Sequence, residues 1–127
     1  MKKLAAWVLL CFIVTARPIA TIDGDTLDAR LDVWLGLTAT ERIRVLGVDT
    51  PELKGKGARE TADAASARIT AAKAAKQFTE QWLAKGPVQI QACKRDAFGR
   101  ILGRVNRGGD YLDELLIVNG LGVPYEK

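Results

Sequence analysis

Between residues 27 and 33 apolar and polar side chains alternate without a break, with Leu27, Ala29, Leu31 and Val33 set against Asp28, Arg30 and Asp32. A period of two is what a strand with one buried face requires. This strand has a predicted neighbour on each side. Residues 19–22 form a short strand that ends in the turn Asp23-Gly24-Asp25. After a loop at 35–40, Ile43, Val45 and either Leu46 or Val48 continue as a third strand, with Arg42 and Arg44 on its other face. A Gly/Lys-rich loop at 53–57 then leads into a long helix reaching about Leu83. Ala64, Ala67, Ala71, Ala75, Phe78 and Trp82 form its expected buried stripe, and Lys85-Gly86-Pro87 stops it. Two more strands follow, at 88–92 and 101–105. Asp113 is placed to cap a short helix that ends at Gly120. The predicted class is α+β and mainly β: a five-stranded barrel of the OB type, with one long helix between strands 3 and 4 and a short C-terminal helix.

The first residues read differently. Lys2 and Lys3 precede an apolar run from 4 to 14, and Val14-Thr15-Ala16 offers small residues to a signal peptidase. The run is shorter than the ~20 residues a spanning helix needs. Residues 1–16 are therefore expected to be a signal peptide, and 17–127 a single exported domain, periplasmic or secreted, with no stable membrane insertion after processing. Losing Lys2 and Lys3 would take the formal net charge from +4 to +2. It would also remove Cys11 and leave Cys93 without an internal disulfide partner. Lys94, Arg95, Arg100, Arg104 and Arg107 crowd one region that holds a single acid, Asp96; charge alone favours a solvated face.

The chain contains no histidine. Imidazole is excluded as base, nucleophile or metal ligand, and two cysteines cannot build a thiolate zinc site. Hydrolysis by this chain would have to run on carboxylates, cations and a hard metal held by oxygen. Three segments offer such groups. Asp23-Gly24-Asp25-Thr26 reads structurally as a hairpin turn, and functionally as a carboxylate at a strand start. Arg44 to Glu52 ends in Thr50-Pro51-Glu52, a reasonable helix start. A helix start explains neither Asp49 at the end of an apolar strand nor Arg44 facing away from the core. Asp96-Ala97-Phe98-Gly99-Arg100 alone is a turn carrying an arginine. Strands closing into one barrel could bring all three to one rim.

Together and in this order, the segments resemble the staphylococcal nuclease (thermonuclease) family, whose pattern is D-G-D-T, R-x-x-x-V-D-T-P-E and D-x-[YF]-G-R, then a short helix ending in G-L. The resemblance covers nearly all of residues 17–127. It implies a calcium-dependent endonuclease acting on DNA and RNA and leaving 3′-phosphate ends. Asp25, Asp49 and the Thr50 carbonyl would bind Ca2+, Glu52 would be the general base, and Arg44 and Arg100 would hold the phosphate. Phe98 stands where the family often has tyrosine, and Ala97 where it often has lysine. Tyr125 corresponds to a base-stacking tyrosine. The protein is expected to be a monomer with nucleic acid as substrate. The alternative of another class is a non-catalytic OB-fold module that binds nucleic acid by stacking and charge.

Overall fold

The computed structural model describes residues 11–53 and 60–125. In chain order the elements are β1 (Phe12–Asp23), β2 (Thr26–Trp34), β3 (Leu37–Val45), β4 (Gly47–Asp49), α1 (Ala62–Leu83), β5 (Val88–Arg95), β6 (Ile101–Arg107), β7 (Asp110–Tyr111), α2 (Leu112–Val118) and β8 (Val123–Tyr125). The strands run β3-β2-β1-β5-β6, and β3 pairs with β6 to close the ring. Closure is parallel and short, with Ile43 opposite Ile101, Arg44 opposite Leu102 and Val45 opposite Gly103. The other barrel pairs are antiparallel. This is the five-stranded OB-type barrel, with α1 between its third and fourth strands. The small β4–β8 ribbon lies outside the ring.

The alternation in β2 does what its period requires: Leu27, Ala29 and Leu31 are buried beside Ile43, Val45, Ile90 and Val105. Val33 departs from the pattern and is exposed, because β2 runs past the end of the barrel. The expected loop at 35–40 shrinks to Leu35-Gly36, both at positive φ, and β3 starts at Leu37.

Three expectations are corrected. The first concerns β1, which begins at Phe12 rather than Ile19. Its whole ladder to β5 lies in residues 12–16, from Phe12 opposite Ala92 to Ala16 opposite Val88, and Ala16 is fully buried. The small residues at 14–16 thus sit inside a barrel strand, and a chain starting at Arg17 would lack that ladder. Cys93 is also not alone: it forms a disulfide with Cys11, 82 residues away in sequence. The second concerns α1. Its buried positions are Ala72, Ala75, Thr79, Trp82 and Leu83, while Ala64, Ala67 and Ala71 are exposed. Thr61 caps the helix by accepting from the Ala64 amide at 3.1 Å, so no helix starts at Thr50-Pro51-Glu52. Most of the expected loop at 53–57 lies outside the described residues.

The third concerns Asp113, which makes no cap hydrogen bond to α2. Its buried carboxylate accepts from Arg104 Nη2 at 3.1 and 3.0 Å. The basic run is therefore largely used up by structure. Arg104 stacks on Tyr111 while holding Asp113, Arg95 pairs with Glu41, and Arg107 donates to the Trp82, Gly86 and Pro87 carbonyls at the end of α1. A cation at a helix C-terminus is favourably placed against the helix dipole.

The disulfide ties the start of β1 to β5 across a long loop, which restricts the unfolded chain. Cys93→Ser should lower unfolding free energy by about 2–4 kcal/mol in denaturant titrations. Reductant should lower the wild type by a similar amount and leave the variant unchanged.

Candidate active site

Barrel closure brings the three sequence segments to one rim. Asp25 sits in the β1–β2 turn, Arg44 near the end of β3, and Arg100 just before β6. Since Arg44 pairs with Leu102 across the parallel seam, Arg100 is only two residues from that contact. The rim encloses a cleft of ≈ 300 Å³. Of the eight residues singled out from sequence, seven line it: Asp25, Arg44, Asp49, Thr50, Glu52, Arg100 and Tyr125. Phe98 does not. It is 85% exposed and lines an adjoining groove that shares Glu52 and Arg100 with the cleft.

Asp25 is a buried carboxylate with each oxygen occupied. Oδ1 accepts from the Thr26 hydroxyl at 3.0 Å, and Oδ2 accepts from the Thr50 amide at 2.9 Å. Arg44 holds the opposite wall. Its Nη1 donates to the Val45 and Val48 carbonyls at 2.7 and 2.9 Å, which fixes the β3–β4 corner. Its Nη2 lies 3.4 Å from Asp25 and 3.2 Å from Asp49. One guanidinium thus touches both acids expected to bind metal. Tyr125 joins through the β4–β8 ribbon, where it pairs with Gly47, and its ring lies 5.5 Å from the Arg44 guanidinium carbon.

Glycine makes two of these approaches possible. A Cβ on Gly24 would come within 2.8 Å of the Ala75 Cβ and 2.9 Å of Thr50 Oγ1, so the turn carrying Asp25 lies directly against α1. Thr79 completes that contact by donating to the Gly24 carbonyl at 2.7 Å. Gly47, at φ +93°, turns the chain between Arg44 and Asp49, and a Cβ there would collide with the Asp113 carboxylate.

Arg100 is held by a residue that sequence reasoning left out of the site. Asp96 Oδ2 accepts from Arg100 Nε at 2.6 Å, while its Oδ1 accepts from the Phe98 and Arg100 amides, each at 2.9 Å. Burial pushes the Asp96 carboxyl up. The Arg100 guanidinium and the two amides outweigh that and hold it below its ordinary value of 3.8. The sequence signal was an acid four residues before the arginine, on the other side of a turn glycine. Glu52 is exposed at the cleft mouth, and its main-chain carbonyl accepts from Arg68 Nη1 of α1. Arg68 also pairs with Glu60 at 2.8 Å. It was missed because it interrupts the alanines of α1.

Charge decides what the cleft can accept. Among the described residues, Asp23, Asp25, Asp49, Glu52 and Asp96 share the cleft lining with two cations, Arg44 and Arg100. Five carboxylates against two guanidiniums repel a phosphodiester unless a further cation is added. Among the described residues no three Asp, Glu, Cys or His side chains gather as a ready metal cage. Asp25 and Asp49 do converge on one cation already, the Arg44 guanidinium. Two carboxylates with a nearby main-chain carbonyl are hard donors that fit calcium, provided water and substrate complete the shell.

The fold and rim define a domain of the nuclease class. The family described as "Staphylococcal nuclease homologue" matches residues 42–127, and the chain belongs to it. A protein of Escherichia coli described as "Uncharacterized endonuclease" is 26% identical over 123 residues, spanning 96% of this chain and 68% of its own length. Its counterpart in Escherichia coli O157:H7, with the same description, is 25% identical over the same shares.

Asp96→Asn keeps an oxygen for the two amides and removes the charge facing Arg100. A depressed carboxyl contributes stability above its unfolded value of 3.8 and loses it as pH falls through the lowered folded value. The variant should therefore melt below wild type at neutral pH, and the gap should close on titration to about pH 2. A gap that does not change with pH would mean the Asp96 charge contributes nothing.

Proposed function

We propose that the chain is a calcium-dependent endonuclease that hydrolyses DNA and RNA and leaves 3′-phosphate ends. The observation that carries this reading is the cleft itself. Asp25 and Asp49 converge on one cationic position, Glu52 and Arg100 line the same walls, and the acid excess calls for an added cation before phosphate can enter. Asp25, Asp49 and the Thr50 carbonyl would hold Ca2+, which when bound offsets the carboxylates and draws a phosphate oxygen into the cleft.

The remaining work falls to this chain's own side chains. Glu52, at the mouth, accepts a proton from water as its oxygen attacks phosphorus. Arg100, oriented through Nε by Asp96, turns its terminal nitrogens to the equatorial oxygens on which charge gathers. Arg44 supplies a second cation from the neighbouring strand β3. The bond from phosphorus to the 5′ oxygen breaks, that oxygen takes a proton from solvent, and the phosphate stays on the 3′ side. Phe98 and Tyr125, each beside one of the two arginines, offer ring faces to the nucleotide. A non-catalytic binding module of the same fold does not account for acids outnumbering cations in the cleft. We place the protein outside the cytoplasm, in the periplasm or the medium, and acting as a monomer; the Cys11–Cys93 disulfide supports an oxidising compartment.

Purified protein should cut plasmid DNA and RNA with calcium and stop when the metal is chelated; undiminished cutting in chelator would remove the metal from the reading. Glu52→Gln should lower turnover by about 10²–10⁴-fold. Its unfolding midpoint should stay near wild type, since the side chain is exposed.

Arg100→Ala should lower turnover by about 10²–10⁵-fold. Arg100→Lys should recover little of it, because an ammonium cannot bond Asp96 and phosphate through one planar fork. Near-normal rates for the lysine variant would refute the forked contact.

A further inference from the structure

The β2–β3 hairpin ends in an apolar tip that the catalytic reading does not use. Val33, Trp34, Leu35 and Leu37 are exposed there, Trp34 by 69% and Leu35 by 82%. The start of β1 adds Phe12 and Ile13, exposed by 75% and 70%. Thr15 pairs with Asp32, so the residues just before Thr15 and just after Asp32 lie at one end of the barrel. Six large exposed apolar side chains thus gather at one end of the barrel. It stands about 25 Å along β2 from the cleft, at the far end of the strand from Thr26.

Two further observations indicate what covers it. The ten residues before Cys11 in sequence hold two lysines and then seven apolar residues from Leu4 to Leu10, one of them Trp7. Below the tip, Arg17 pairs across the strands with Arg30, and both are exposed. Like charges directly opposite destabilise a ladder, and among the described residues neither arginine has an acidic partner. Asp32 is the one acid between that pair and Trp34 on the strand. Arg30 lies about 13 Å below Trp34, so a tip inserted by about 5–10 Å leaves Arg30 on the headgroup side of the acyl boundary.

We propose that this end of the barrel docks on an anionic phospholipid surface. The tip side chains sit among the upper acyl chains, and Arg17 and Arg30 meet the headgroups. Aromatic and aliphatic tips above a basic collar are the composition of an interfacial anchor rather than a spanning one. The catalytic cleft then faces away from the membrane, open to nucleic acid in solution. This placement follows from the barrel geometry and does not depend on the chemistry assigned to the cleft.

The test uses the full chain and flotation with vesicles of phosphatidylcholine and phosphatidylglycerol, and of phosphatidylcholine alone. Trp34→Ser combined with Leu35→Asn removes the tip, and asparagine suits the positive φ of 43° at position 35. Circular dichroism confirms that the variant is folded. Wild type should float with the mixed vesicles and less with phosphatidylcholine alone, and the double variant should partition at least about tenfold less. Arg17→Gln with Arg30→Gln should reduce the preference for the anionic vesicles. Equal flotation of wild type and double variant would overturn the proposal by assigning binding to residues 1–10 alone. It would also be overturned if wild type stayed unbound and sedimented as a dimer that the tip substitutions dissociate, which would make the patch a contact between copies.

Discussion

Three residue pairs across a parallel seam decide whether this molecule has a site. Ile43, Val45 and their partners on β6 close the barrel, and Arg44, between them, is thereby set beside the strand that Arg100 introduces. Without that seam the two guanidiniums would belong to separate sheet edges. The Leu46 amide extends the seam by donating to the Gly103 carbonyl at 2.8 Å, and the Val45 amide donates to the Asp25 carbonyl at 2.8 Å. The same few hydrogen bonds thus tie the turn bearing Asp25 to the strand bearing Arg44. Barrel closure and site assembly are one event.

The site was more legible than the fold around it. Asp25, Arg44, Asp49, Glu52 and Arg100 stand out against their neighbours by type, and the fold gathers all five at one cleft. Buried strands leave a comparable mark, and β2, β5 and β6 could be placed from apolar spacing. What failed was any position where one residue type answers two demands. The start of β1 is one: local spacing placed it at Ile19, and the strand begins at Phe12 because its partner there is the distant β5. In α1 the alanines are so numerous that the buried face is set by Thr79 and Trp82, and the stripe was drawn through the wrong alanines. Asp113 sits where a cap belongs, yet Arg104 claims it from β6, across a distance that sequence periodicity cannot register.

Electrostatics in the cleft follows a different logic from the surface. On the outer face of the barrel two acids are each matched by an arginine, Asp28 by Arg42 and Glu41 by Arg95. Each of those acids is held below its ordinary pKa by its partner's hydrogen bond, against the opposing effect of burial. In the cleft the matching breaks down, and carboxylates are in excess among the described residues. An unneutralised cluster costs stability, and natural folds retain such costs at functional positions. On the function proposed above, that excess is what would separate a cation-recruiting site from a groove holding nucleic acid by positive charge alone.

The Cys11–Cys93 link joins the first described residue to one 82 positions later, and the β1–β5 ladder beside it, from Phe12–Ala92 to Ala16–Val88, is nearly as long in range. A ribosome or a translocation channel delivers β1 long before its second neighbour exists. Until β5 emerges, β1 can make only the hairpin with β2, and a lone hairpin of this size is marginal in water. Long-range pairing of this kind also slows folding, since the loop must close before any contact rewards it. The order of synthesis therefore keeps the chain pliable for most of its length, and locks it only after the final third has arrived.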